Sequence, residues 1–194
     1  MRNYGTATMS TAHVPALEPT PEERNQALEF LTQSRNGLFA SVQGLSEAQW
    51  TFKPAPDRWS IAECVEHVVI VQDFVRANIG NLAAAAASPE RDEKQIDALI
   101  IARVPDRSTR FPAPERVLPT GRWTPPEALD RYSASCQEIA DRLSSASDLR
   151  GRAIPHPALG PLDGYQWILA VAGHTIRHTK QILEVAADPL YPAN

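Results

Sequence analysis

The chain has 194 residues, enough for one domain with a full core and too few for two comfortable ones. Its net charge of −4 argues against nucleic acid or an anionic membrane as the main partner, and no apolar run approaches membrane-spanning length. Two cysteines, Cys64 and Cys136, fall in helical patterns rather than a disulfide framework, and the N-terminus lacks the apolar stretch of a secretory signal. These features predict a cytoplasmic protein with free thiols.

Residues 1–19 are polar and patternless and read as a mobile arm ahead of a single domain over 20–187. The first helix, about 20–44, opens on "TPEE", where Thr stands three residues before Glu, the capping-box spacing, and Pro fills the first helical position. "SIAE" at 60–63 starts a second helix running to about 86, and "TPPE" at 124–127 starts a third running to about 147. A weaker version, "DGYQ" at 163–166, starts the fourth, running to about 187. Each helix repeats apolar residues at three and four. In the third the stripe is Leu129, Tyr132, Cys136, Ile139 and Leu143.

Strand signals are nearly absent, so the expected fold is an all-α four-helix bundle. Between the second and third helices lie residues 87–123, with a short helical candidate in "DEKQIDALIIARV" and then a Pro-rich stretch. A connection of that length crosses the bundle and lets those two helices run parallel, which predicts up-down-down-up topology and makes the second and fourth antiparallel.

The fourth helix carries "HTIRH" at 174–178 inside an apolar stretch. A buried imidazole needs a partner or costs free energy, so two of them one turn apart ask for an explanation. The inward stripe is Trp167, Val171, His174, His178, Gln181 and Val185, and the second helix carries His67 on a matching stripe with Cys64, Val71 and Phe74. At about 1.5 Å per residue, His67 lies roughly 10 Å from the start of its helix and His178 roughly 13 Å from the end of its own. In an antiparallel pair those depths coincide, and three imidazoles can converge on one ion. The competing reading is that each is a core histidine satisfied by a carbonyl or carboxylate.

The stretches "KPAPDRWSIAECVEHV" at 53–68, "PERVLPTGRWTPPEAL" at 114–129 and "GPLDGYQWILAVAGHTIRHTKQI" at 160–182, with Trp50, resemble in order and spacing the DinB/YfiT-like family of metal-dependent enzymes. The resemblance implies a divalent metal such as zinc or nickel on His67, His174 and His178. It also implies that a homodimer forms. The run "NLAAAAAS", which permits close helix approach, is the weak support in the residues themselves.

Three histidines leave at least one coordination position open, the arrangement of catalytic rather than structural zinc. The position after His174 is Thr175, so the glutamate of an HExxH protease is missing. Gln181, one turn past His178, either orients a ligand or a bound water or serves as a capping or core-edge amide. Glu63 belongs to a capping box, and Cys64 and Cys136 read as small core hydrophobes. Trp59 and Trp123 are expected at the metal end of the bundle, either at the mouth of a substrate pocket with Arg110, Arg116 and Arg122 nearby in the crossover, or as plugs of the bundle end with those arginines solvated. His13, in the arm, and His156, in a far loop, are not expected to bind metal.

By resemblance, the function is thiol transfer or hydrolysis of a small electrophilic molecule, with a low-molecular-weight thiol as partner. The alternative is a metal-binding or ligand-sensing stress-response bundle without catalysis. A helical interaction module whose histidines bind nothing is the third reading.

Overall fold

A computed structural model describes residues 17–193, so most of the expected arm, His13 included, lies outside the described residues. Four long helices form the bundle: α1 (Pro21–Val42), α3 (Ile61–Gly80), α5 (Pro125–Ser145) and α6 (Gly164–Ala186). Two shorter ones, α2 (Glu47–Thr51) and α4 (Glu93–Arg103), sit in the connections. The capping signals act as the sequence predicts. Glu23 and Glu63 accept from the amides of Thr20 and Ser60, each at 2.7 Å, and Gln166 accepts from the amide of Asp163 at 3.2 Å. A further box, Ser46 with Gln49, starts the short α2, which the sequence reading leaves inside a link.

Contacts between helices fix their directions. Phe74 of α3 meets Trp167 of α6, while His67, earlier in α3, meets His174, later in α6, so this pair is antiparallel. Tyr165 of α6 donates to the Glu23 carbonyl, and the glycine at 37 faces Thr179, so α1 and α6 run parallel. Arg24 bonds the Leu143 carbonyl and Phe39 packs on Tyr132, so α1 and α5 are antiparallel. The result is the expected up-down-down-up bundle.

Two differences from the sequence reading stand out. The second long helix ends at Gly80, six residues short, and the alanine run forms a 3-10 turn (Leu82–Ala84) and a strand β1 (Ala86–Ala87). Ala favours helix, but here the tertiary pairing prevails, and the run offers no helical face for close packing. The strand pairs with β2 (Arg152–His156), which pairs in turn with β3 (Gly160–Asp163), giving a small antiparallel sheet in the order β1-β2-β3. Pro155 and Pro161 stand opposite each other in that hairpin, and such residues mask a strand pattern in sequence. The Leu17 carbonyl accepts from the Arg150 amide, so the last residues of the expected arm dock beside this sheet.

The core divides into two apolar clusters. One, around Leu31, Val75, Ile139 and Ile168, lies toward the sheet; the other, around Leu38, Ile61, Val68 and Ile182, lies toward the opposite end. At mid-helix, buried polar residues mark the division: Ser34, Gln72, Ser135 and Thr175, one from each long helix. No helix among the described residues is long and apolar enough to cross a membrane.

Candidate metal centre

His67 is one of eleven buried residues of α3, and α6 is apolar enough to bury His178 on the facing stripe. The three histidines come together as predicted. His67 and His178 are buried and His174 is half-buried, and each offers a nitrogen within 4.8 Å of the other two. The Nε2 atoms of His67 and His174 are 3.1 Å apart. No other cluster of this kind occurs among the described residues.

Proton positions follow from the neighbours. The Val117 carbonyl, 2.7 Å from His67 Nδ1, can only accept, so Nδ1 carries the proton and Nε2 presents a lone pair. His178 Nδ1 lies 3.0 Å from Gln181 Oε1 and donates to it, which leaves its Nε2 in the same state. His174 Nδ1 is fully covered and has no partner among the described residues. Burial pushes all three imidazoles below the usual histidine range; the rings of His178 and His67 lower His174 further, and the ring of His67 lowers His178 further. All three are therefore neutral at neutral pH, the form that ligates a metal.

These residues fit a divalent ion. An ion about 2.0–2.1 Å from each nitrogen in tetrahedral geometry sets neighbouring nitrogens roughly 3.3 Å apart, close to the His67–His174 separation. Two of the three rings already direct an unprotonated nitrogen away from their hydrogen-bond partners. Carbonyl and amide thus orient the two rings, as outer partners do in metal sites.

The Pro-rich crossover supplies much of that orientation. Gly173, just before His174, has no Cβ; one built there would lie 3.0 Å from Val104 and 3.3 Å from Pro105, so the glycine lets the crossover seat against α6. Lys180 then bonds the Pro105 carbonyl, and Arg177 the carbonyls of Asp106 and Thr109. Further on, the buried Glu66 accepts from the amides of Thr120, Gly121 and Arg122 at 2.8–3.2 Å, and this clamp holds the segment containing Val117. A glycine inside a helical pattern was the available signal for the first; Glu66 lies off the stripe of Cys64, His67, Val71 and Phe74 and gave none.

Trp59 packs on His67 and His178, with ring centroids 4.8 and 6.0 Å apart, and walls the site. Trp123 belongs to the same end of the core but carries Arg131 of α5 on its face at 4.6 Å. Gln181 touches His178 directly. Arg116 lies over Phe74, and Arg122 pairs with Glu66, whereas Arg107, which the sequence reading did not single out, reaches Gln181 at 3.0 Å. Glu63 is held by its cap and by Lys53 at 2.7 Å. Burial pushes the Cys64 thiol up to about 12, so it stays a protonated core residue, and Cys136 accepts from Gln72. His156 sits in β2 against Trp167, at the sheet end.

Residues 31–182 match the model of the DinB superfamily, and the chain belongs to that superfamily. It is similar to the Bacillus subtilis (strain 168) protein YuaE, 23% identical over 163 residues that cover 81% of this chain and 96% of that protein. Two solved structures share the fold. One is YfiT from Bacillus subtilis, described as a probable metal-dependent hydrolase with an unusual four-helix bundle topology, with a TM-score of 0.60 at 14% identity over 89% of this chain and 90% of that one. The other is TT2238, a four-helix bundle protein, with a TM-score of 0.55 at 18% identity over 83% of this chain and 98% of that one.

Proposed function

We propose that this protein is a metal-dependent enzyme that holds one divalent ion, zinc or nickel, on His67, His174 and His178 and acts on a small electrophilic molecule by thiol transfer or hydrolysis. The observation that carries the reading is the pair of committed tautomers: His67 and His178 each spend Nδ1–H on an acceptor and keep Nε2 for the ion. The description of YfiT as a probable metal-dependent hydrolase supports it at the level of the fold. A bound ion supplies Lewis acidity and an activated water or thiol near neutral pH. The chain's own part is to hold three neutral imidazoles, shield them with Trp59 and keep Gln181 turned toward His178. Thr175 donates to the Val171 carbonyl within α6, so the residue following His174 serves the helix rather than a proton transfer.

A metal-binding bundle without catalysis is the second reading, favoured by how thoroughly His67, His178 and Trp59 cover one another. One preparation separates the two. Tag-free protein stripped of metal and titrated with cobalt is expected to bind one equivalent with tetrahedral d–d bands. Alanine at any one of the three histidines should lower that occupancy. Added imidazole or a small thiol should then move the cobalt spectrum; an unmoved spectrum favours the second reading, and three alanine variants with full occupancy would overturn both.

A further inference from the structure

The two committed tautomers have different origins. A carbonyl leaves His67 no choice, since it only accepts. An amide side chain is ambiguous, because Gln181 turned over would present its NH2 to His178 and select the opposite tautomer. In that arrangement His178 would direct an N–H, not a lone pair, toward the other imidazoles. Arg107 removes the ambiguity. A guanidinium only donates, and Arg107 Nη1 lies 3.0 Å from Gln181 Oε1, the same oxygen that meets His178 Nδ1. Arg107 is itself gripped by Glu184, through Nε and Nη2 at 2.8 Å each, and its side chain is only 13% exposed. Arg58, next to Trp59, approaches the same Glu184 at 3.9 Å.

We propose that Arg107 is a positioning residue for the metal centre: it fixes Gln181 oxygen-first and so holds His178 as the Nδ1–H tautomer with Nε2 free to ligate. The crossover thereby sets metal affinity without contributing a ligand. The inference rests on the metal-site reading above, but the tautomer is a property of the chain alone and can be read separately.

Two measurements on wild type, Arg107→Met and Arg107→Lys test it. Long-range 1H–15N correlation spectra of the metal-free protein report the His178 tautomer, and competition with a chromophoric chelator reports zinc affinity. Wild type is expected to show Nδ1–H alone. Arg107→Met should show a mixture and bind zinc about 10–100-fold more weakly, the usual effect of losing an outer partner. Arg107→Lys, still a pure donor, should restore the tautomer. If Arg107→Met disturbs the fold, Gln181→Leu gives the same readout from the other side of the relay. An Arg107→Met protein with unmixed Nδ1–H and unchanged zinc affinity overturns the proposal. A wild type that binds no zinc, yet loses its Nδ1–H tautomer in Arg107→Met, overturns the metal reading and supports the relay.

Discussion

The two ends of this bundle bury polar groups by opposite rules. At the sheet end, Arg150 meets Asp97 at 2.6 Å, Glu23 at 2.8 Å and Asp163 at 2.9 Å, and its guanidinium lies 4.1 Å from the Tyr165 ring centroid. Donors there face acceptors, one guanidinium against three carboxylates, and burial pushes the Asp163 carboxyl up to about 6. At the other end three neutral imidazoles face one another: His67 and His178 find partners for Nδ1 outside the cluster, whereas His174 Nδ1 has none among the described residues and its Nε2 lies 3.1 Å from that of His67. The first arrangement is complete in itself. The second makes chemical sense with a cation at its centre, and the comparison shows why buried polarity alone does not mark a site: what matters is whether the groups satisfy each other.

The largest expected effect tests the closed network. Arg150→Met removes the one cation among the buried carboxylates of Asp97 and Asp163 and should cost about 3–5 kcal/mol of stability, measured by urea denaturation. Metal binding should be untouched if the variant still folds. A loss under about 1 kcal/mol would mean that water already reaches this cluster and that the two ends differ less than their geometry implies.

A smaller loss is expected where the metal end is tied to the crossover. Glu66→Gln retains one acceptor for the amides of Thr120, Gly121 and Arg122 but turns an NH2 toward the rest, which should cost about 1–3 kcal/mol. Hydrogen exchange should rise over 117–122 and leave α1 unchanged. Uniform exchange across the chain would show the clamp to be dispensable, and the rigidity of the His67 partner would need another source.

The three-histidine cluster was legible in sequence because each histidine lies on an apolar stripe and because helical rise makes depth countable. The bundle was legible for a similar reason, through caps whose spacing has one meaning. The orienting groups were not. Val117 acts through its carbonyl, which every residue possesses, so its identity carries no signal. Arg107 is one of four arginines between 105 and 123, and only the seating of the crossover against Gly173 selects it over Arg110, Arg116 and Arg122. The sheet was hidden for another reason: its strands are short, contain Pro155 and Pro161, and recruit alanines whose local preference is helical.

The smallest expected effect concerns a histidine that follows the sheet end's rule. His156 Nδ1 accepts from the amides of Ala158 and Leu159, both at 3.1 Å, so its proton sits on Nε2, the reverse of His67 and His178. Protonating Nδ1 would break both bonds beside Trp167, and burial already pushes the ring down to about 4. The unfolded chain, with an ordinary imidazole near 6.5, therefore binds more protons than the folded one between those two values. Stability must fall as pH drops through that window and stay level with respect to this group above it. The three histidines of the metal centre, also held low, push the same way, so the contribution of His156 is the difference between wild type and His156→Gln. Denaturation midpoints of the two metal-free proteins at about pH 7 and about pH 5 supply it. Wild type should lose more on acidification, because Gln can accept from the same amides without titrating. Equal losses in the two proteins would mean that the hairpin opens before its histidine is charged.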